Sequence, residues 1–106
     1  MKLLRYQRED GKVPFSDWLN GLRDKRAQAQ IRVRLQRLAA GNLGDIKAVG
    51  GGLSELRIHL GPGYRVYLAQ HGETWVLLLS GGDKSSQQKD IETARNYLRD
   101  WKERQQ

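Results

Sequence analysis

The sequence contains no cysteine. Disulfide bonds, thiolate nucleophiles and cysteine-based zinc sites are therefore excluded, and the composition fits a reducing compartment. No apolar run approaches the roughly 20 residues that a membrane-spanning helix needs. The first ten residues, MKLLRYQRED, are too short and too charged a segment for a signal peptide. We therefore expect a cytoplasmic protein.

Patterns that hold metal ions are also lacking. There is no Asp-x-Asp pair, and the two histidines, His59 and His71, do not have the spacing of metal ligands. No internal repeat is visible, and the length suffices for one modest hydrophobic core. The sequence thus predicts a single domain over residues 1–106 that uses neither a metal nor a cofactor.

What the chain has in excess is positive charge. Nineteen Lys and Arg residues outnumber twelve Asp and Glu residues, which gives a net charge of +7 and an isoelectric point near 10.1. This excess indicates a polyanionic or acidic partner: nucleic acid, an acidic protein or an anionic membrane. The charge alone does not choose among them. Three tryptophans and four tyrosines argue against disorder.

Apolar residues recur at helical spacing in three segments. Pro14 suits a first helical turn, Asp24 can cap a second helix, and Gly41 can end it. Asp83 or Ser85 can cap the last helix. The three apolar stripes are Phe15, Trp18, Leu19 and Leu22; Ala27, Ile31, Leu35 and Leu38; and Ile91, Ala94, Leu98 and Trp101. The first two segments predict a helical hairpin.

Strand patterns fill most of the remaining sequence. A short strand is expected at residues 3–6, and residues 53–60 and 64–69 alternate with period two. Residues 75–79 are apolar without alternation, which predicts a strand covered on both faces. The glycine-rich residues 42–52 are expected to form a loop. The expected fold is therefore α+β, in the order βααβββα: a small antiparallel sheet with an N-terminal helical hairpin and a C-terminal helix.

Several polar residues share one face of the predicted hairpin of strands. If the apolar sides of both strands meet the same core, this face carries Glu55, Arg57, His59, Arg65 and Tyr67. The turn at residues 61–63 then places Arg57 near Arg65. Lys84 can reach the rim of the same surface, because Gly81 and Gly82 are expected to bend the chain where the next strand ends.

Such a set of side chains suits a phosphodiester. Two guanidiniums can grip its non-bridging oxygens, the Glu55 carboxylate can accept a proton, and the Lys84 ammonium can stabilise the leaving oxygen. This would support attack of an RNA 2′-hydroxyl on the neighbouring phosphate. The reaction needs no metal, because the nucleophile belongs to the substrate and the protein supplies positioning and charge. The alternative is a solvated sheet face whose charges pair across strands.

Two further residues can each be interpreted as functional or as merely exposed. His59 is either a general acid or base or an exposed residue beside a turn. Arg34, on the polar face of the second predicted helix, either grips an RNA backbone or is simply solvated.

Three segments resemble toxins of the RelE/ParE superfamily from bacterial toxin–antitoxin modules, and in particular the HigB-like addiction module killer proteins. They are Pro14-Phe15 with Trp18-Leu19, then LSELRIHLGPGYRVYL, then LLLSGGDKSSQQKDI. The resemblance implies a RelE-like fold and a metal-independent endoribonuclease that cleaves mRNA on the ribosome and inhibits growth. It also implies neutralisation by a cognate antitoxin, often a helix-turn-helix DNA-binding protein.

The resemblance also implies roles for individual residues. Arg65 matches the catalytic arginine of the family, and Arg57 and Lys84 match two basic positions. Glu55 stands where RelE has a lysine, and RelE's functional tyrosine in the last segment has no counterpart among residues 87–90. The general acid or base therefore stays open among Glu55, His59, Lys89 and Asp90. The expected catalytic set is Arg65, Arg57, Lys84 and Glu55, with substrate contacts from Tyr67, His59, Lys89 and Arg34.

Two other functions remain open at this point. A ParE-like toxin shares the fold but inhibits DNA gyrase without cutting RNA, and such members generally lack the clustered basic residues. The third possibility is a non-catalytic module that binds RNA or an antitoxin.

Overall fold

Five strands and three helices follow one another in the order βααββββα in the computed structural model, which describes residues 1–105. The strands are β1 (Lys2–Arg5), β2 (Ile46–Gly50), β3 (Leu53–Ile58), β4 (Tyr64–His71) and β5 (Trp75–Asp83). The helices are α1 (Pro14–Gly21), α2 (Lys25–Ala39) and α3 (Gln87–Arg104), and a 3₁₀ turn at Lys84–Ser86 precedes α3. The predicted α+β class is confirmed.

The strands form one mixed sheet in the spatial order β1-β5-β4-β3-β2. β1 runs parallel to β5, and the other neighbours are antiparallel. The prediction of an antiparallel sheet was therefore wrong at this edge. A parallel neighbour requires a long crossover connection. Here it spans residues 6–74, with both helices of the hairpin and strands β2 to β4, and local sequence patterns do not reveal such pairing.

The prediction of a loop over residues 42–52 was also wrong, because β2 lies within it. The strand is short, and its backbone is ordered by pairing with β3, where Lys47 lies opposite Glu55. An irregularity between Ala48 and Gly50 interrupts the register. A five-residue strand at the sheet edge depends on its partner for stability, so its own sequence carries little signal.

The predicted starts of the first two helices are confirmed, whereas the predicted cap of the last helix belongs to the turn before it, since α3 itself begins after Ser86. The Asp24 carboxylate accepts hydrogen bonds from the backbone N–H groups of Arg26 and Ala27, which caps α2. Pro14 is the first residue of α1. Asp83 accepts from the backbone N–H of Ser85 and so caps the 3₁₀ turn that leads into α3. None of the helices within residues 1–105 has the length and apolar character needed to cross a membrane.

Both faces of the sheet are covered. The α1–α2 hairpin packs on one face and α3 on the other, and each face has its own buried apolar cluster. The apolar run of β5 contributes to both clusters, with Val76 and Leu78 on the hairpin side and Leu77 and Leu79 on the α3 side. The predicted strand with two covered faces is thus confirmed. Full burial of each such side chain contributes about 1.5–3 kcal/mol.

Candidate functional site

The β3–β4 hairpin brings the predicted polar residues together. Arg57 lies directly opposite Arg65, and Glu55 lies opposite Tyr67. Residues in such pairs point to the same face of a sheet, and here it is the face that packs against α3, because Tyr67 belongs to the α3-side cluster. The first turn of α3 covers the Glu55–Tyr67 pair, since the Gln87 side chain reaches Glu55. This part of the face is therefore interior.

Glu55 is buried, with 1% of its surface exposed. Its Oε2 accepts hydrogen bonds from the Tyr67 hydroxyl at 3.2 Å and from Nε2 of Gln87 at 2.8 Å. Its Oε1 lies 3.4 Å from Nε of Arg65. A buried carboxylate requires such partners to offset its lost hydration. Glu55 thus joins β3, β4 and α3, and it does not face solvent.

Tyr67 is fully buried beside Glu55. Burial, followed by the charge of the Glu55 carboxylate and its hydrogen bond, raises the pKa of the Tyr67 hydroxyl above its ordinary value of 10.0. The hydroxyl therefore stays protonated and donates to the carboxylate. In this position Tyr67 orients Glu55 and has no surface available for a substrate.

Arg65 is held in place from two sides. Its Nη1 donates to the carbonyl oxygen of Gly63 at 2.8 Å, and its Nε contacts Glu55. Only 13% of its side chain is exposed, and within residues 1–105 its buried Nε has no hydrogen-bond partner of good geometry. The guanidinium is thus fixed before any ligand arrives.

The turn between β3 and β4 gathers three predicted residues around one depression of about 380 Å³. Arg65, Lys84 and His59 line it together with the turn itself. A β-carbon placed at Gly63 would lie 3.3 Å from Nη1 of Arg65 and 3.7 Å from Cβ of Lys84, so both side chains stand beside the turn. Gly63 also has a φ of +80°, which favours glycine. The volume falls within the roughly 300–1,000 Å³ of small-ligand pockets.

Asp45, which the sequence did not single out, links two of the predicted residues. Its Oδ1 accepts from Nε of Arg57 at 3.2 Å and from Nη2 at 2.8 Å, while its Oδ2 pairs with Nε2 of His59. The hydrogen bonds from His59 and then from Arg57 lower the pKa of Asp45 below its ordinary 3.8. Asp45 immediately precedes β2, so recognising that strand would have placed it beside β3.

Lys47 was missed for the same reason. It lies opposite Glu55 on β2 and is exposed. Cross-strand partners share a face, so Lys47 adds a cation to the face that carries Arg57 and Arg65.

Arg34 lies apart from the depression and is engaged elsewhere. Its Nη1 donates to the carbonyl oxygen of Arg57 at 2.7 Å, and its Nη2 lies 3.5 Å from that of Asp45. These contacts fasten α2 to the backbone where β2 and β3 meet.

The structure does not bring Lys89 to the depression either. It is exposed on α3, and helical geometry places it on the side opposite Ile91, which packs on the sheet. Asp90, the neighbouring candidate for proton transfer, accepts a hydrogen bond from the Ser86 hydroxyl at 2.6 Å. Its carboxylate also lies against Gly82.

The two glycines at the end of β5 have a different role from the predicted bend. β5 continues through both of them to Asp83. A β-carbon at Gly81 would lie 2.2 Å from Cε3 of Trp18, and one at Gly82 would lie 1.9 Å from Oδ2 of Asp90. The absence of a β-carbon thus makes room for the Trp18 ring of α1 on one face, at Gly81, and for the Asp90 carboxylate of α3 on the other, at Gly82.

Among the side chains of residues 1–105, no group of three or more His, Asp or Glu is arranged to hold a metal ion. The arrangement at the turn instead combines a fixed guanidinium, an ammonium and an imidazole that is paired with a carboxylate. Such groups can bind an anion and transfer a proton.

Comparison with known proteins places the chain beside a bacterial relative. No protein-family model matches the chain. An uncharacterized protein of Haemophilus influenzae is 53% identical over 83 residues, which cover 78% of this chain and 84% of that protein. At this identity and coverage, the chain belongs to the same family as the Haemophilus influenzae protein.

Proposed function

We propose that the protein is an endoribonuclease that cleaves RNA through its own 2′-hydroxyl. The observation that supports this proposal is the depression at the β3–β4 turn, where Arg65, Lys84 and His59 meet. In the reaction the 2′-oxygen forms a bond to the adjacent phosphorus, and the bond from phosphorus to the 5′-oxygen breaks. The 2′-hydroxyl loses a proton and the leaving 5′-oxygen gains one. The products are a 2′,3′-cyclic phosphate and a free 5′-hydroxyl.

Arg65 is the residue we assign to the phosphate. The Glu55 carboxylate and the Gly63 carbonyl fix its guanidinium in advance. A fixed cation stabilises charge that develops in the transition state without the cost of reorganisation. Lys84 also lines the depression, and we assign its ammonium to the negative charge on the leaving oxygen.

His59 is the residue we assign to proton transfer. Of the four candidates from the sequence, Glu55 is buried, Asp90 is bonded to Ser86, and Lys89 lies on the outer side of α3. His59 alone of the four lines the depression. Asp45 pairs with its Nε2, which leaves Nδ1 for the substrate. A carboxylate in this position orients an imidazole.

The biological setting of the proposal comes from the resemblance to the RelE/ParE superfamily and its HigB-like branch. In that setting the protein is the toxin of a toxin–antitoxin pair, acts on mRNA in the ribosome, and is neutralised by a cognate antitoxin. The net charge of +7 is consistent with a ribosomal or RNA target.

One observation favours a second candidate function, RNA binding without cleavage. Both central arginines already have carboxylate partners, Asp45 for Arg57 and Glu55 for Arg65. Internal pairing of this kind reduces the charge available to a transition state. The assay below separates the two functions.

The test is a purified translation system with a defined mRNA, in which new 5′ ends are mapped with and without ribosomes. We expect cleavage by the wild-type protein and a decrease of about 10²–10³ in rate for Arg65→Ala. Arg26→Ala, which removes an exposed arginine from α2, is the matched control and should retain wild-type activity.

The outcomes discriminate between the candidates. Cleavage only in the presence of ribosomes supports the ribosome-dependent enzyme, and cleavage in both arms supports a general ribonuclease. RNA binding without cleavage in either arm supports the second candidate. An Arg65→Ala protein as active as the wild type would exclude the depression as the active site.

A further inference from the structure

A second concave surface lies at the opposite end of the sheet. It is a groove of about 630 Å³ between β5, β4 and the C-terminal half of α3. Its aromatic wall consists of Trp75 and Trp101, whose ring centroids are 5.2 Å apart at 60°. His71 stacks on Trp75 at 5.0 Å with nearly parallel planes. Ala69 and Leu98 add aliphatic surface. We call this surface the tryptophan groove.

The tryptophan groove is separate from the depression at the β3–β4 turn. Trp75 begins β5, and Asp83 ends it beside Lys84. At about 3.3 Å per residue, the strand separates the two surfaces by roughly 25 Å. Among the described residues, none lines both of them. A ligand of one surface therefore does not contact the other unless it is large.

The rim of the tryptophan groove is cationic. Lys102 lines the groove and also a neighbouring depression of about 280 Å³, where Arg95 and Arg99 join it. Neither surface has an Asp or Glu among its described lining residues. Within residues 1–105, Lys102 and Arg99 take part in no ion pair. Arg95 is held in place by the carbonyl oxygens of Val49 and Gly50.

We propose that the tryptophan groove binds an acidic amphipathic segment of a partner protein. An aliphatic or aromatic side chain of the partner would fill the groove, and its carboxylates would pair with Lys102, Arg99 and Arg95. Apolar pockets that contain tryptophan and have a charged rim are typical binding sites for such anchors. The complementary charge brings the partner to this end of the molecule.

A polypeptide fits this surface better than a nucleic acid does. Base recognition on aromatic side chains requires an open ring face. His71 already occupies one face of Trp75, and Trp101 is tilted against Trp75. The remaining lining includes Leu4, Ala69 and Leu98, which suits an apolar side chain. This inference does not depend on ribonuclease activity.

The test uses the full chain labelled with ¹⁵N and follows the indole N–H signals of its three tryptophans. The probes are synthetic helical peptides that share one apolar face and carry glutamate, glutamine or lysine on the other, and an oligouridylate. We expect saturable shifts of the Trp75 and Trp101 signals with the glutamate peptide. Trp18 packs on the opposite face of the sheet and should not shift, so it serves as an internal reference.

Charge reversal completes the experiment. Lys102→Glu should weaken binding of the glutamate peptide severalfold. Lys89→Glu makes the same change on the outer side of α3 and should leave binding unchanged. In the Trp101→Ala protein, the glutamate peptide should no longer shift the indole signal of Trp75. An unchanged Trp18 signal would show that the fold is intact.

Three results would overturn the proposal. Equal affinity for the three peptides would mean that charge does not select the partner. A stronger shift with oligouridylate would assign the groove to nucleic acid. Absence of a saturable shift with any probe would show that the groove is not a docking surface for such a segment.

Discussion

Arg57 and Arg65 lie directly opposite each other on β3 and β4, so two like charges face each other across the hairpin. Such a pair destabilises a sheet unless each charge has its own partner. Asp45 pairs with Arg57 from the loop before β2, and Glu55 pairs with Arg65 from within β3. The two carboxylates thus allow two arginines to be concentrated at one place. The predictions below follow from these contacts and from the packing around them.

Glu55→Gln should destabilise the fold strongly. The substitution keeps the shape but leaves the Arg65 guanidinium, only 13% exposed, without its buried countercharge. Removing one partner of a buried pair costs about 3–5 kcal/mol, and we expect a value near the lower limit because Arg65 retains some exposure. Equilibrium unfolding in urea measures the difference.

The matched control for this experiment is Glu92→Gln. Glu92 is an exposed carboxylate on α3, and its substitution should change the free energy of unfolding by no more than about 0.5 kcal/mol. If both variants unfolded at the same urea concentration, the Glu55–Arg65 pair would not stabilise the fold.

Gly81→Ala should destabilise the packing of α1 on the sheet. The added β-carbon would lie 2.2 Å from the ring of Trp18, so the indole or the helix must move. Overpacking of this kind costs about 1–3 kcal/mol. The expected results are a lower free energy of unfolding in urea and a shifted emission spectrum for Trp18.

Gly21→Ala provides the comparison, because a β-carbon at this end of α1 would meet no atom within 4 Å. It should be neutral or stabilise the protein by up to about 1 kcal/mol. Equal stability of the Gly81→Ala and Gly21→Ala proteins would contradict the close approach of Trp18.

Asp45→Asn should change how stability depends on pH. The pKa of Asp45 is lower in the folded chain than its ordinary 3.8. Its carboxylate therefore stabilises the fold above that pH, and this contribution is lost as the pH falls through the lowered value. The difference in unfolding free energy between wild type and Asp45→Asn should accordingly shrink on acidification below pH 3.8.

The pKa values of Asp83 and Asp100 are also lowered, the first mainly by Ser85 and the second mainly by the Tyr6 hydroxyl. Both groups remain in the Asp45→Asn protein, so the difference between the two proteins reports on Asp45. Urea unfolding at a series of pH values from neutral to acidic is the measurement. If the unfolding free energies of the two proteins changed with pH in parallel, the contacts of Asp45 with Arg57 and His59 would not stabilise the fold.

Lys84 and Lys89 offer a matched pair for the proposed ribonuclease. Both are exposed and lie five positions apart, but only Lys84 lines the depression at the β3–β4 turn. If Lys84 stabilises the leaving oxygen, Lys84→Ala should decrease the cleavage rate by about 10²–10³. Lys89→Ala removes the same charge and should have little effect. Equal losses would mean that general charge, and not the position of Lys84, supports cleavage.

Much of the fold could be predicted because local patterns were strong. The stripe of Ile31, Leu35 and Leu38, the Asp24 cap and the alternation of β3 and β4 each encode their own element. The hairpin turn then determined that Arg57 and Arg65 would lie together.

The features that the sequence did not predict, the strand β2 and the cover of the β3–β4 face by α3, depend on contacts between distant parts of the chain. β2 forms by pairing with β3, and no strong alternation identifies it in isolation. The sequence also suggested that the polar face of β3 and β4 was open, whereas α3 covers the half that carries Glu55 and Tyr67. The apolar run of β5 contained the relevant signal: a strand covered on both faces implies that its neighbour β4 is at least partly covered as well.

The parallel pairing of β1 with β5 has a consequence for the order in which the chain acquires its structure. Lys2 lies opposite Trp75, so the residues of β1 find their partners only after the long intervening segment and β5 have been synthesised. Contacts of such long sequence separation form slowly, because a large loop must close before they stabilise anything. During translation the α1–α2 hairpin can form early, whereas the sheet that carries both concave surfaces is completed late. A nascent chain released before β5 would therefore be expected to have neither the depression at the β3–β4 turn nor the tryptophan groove.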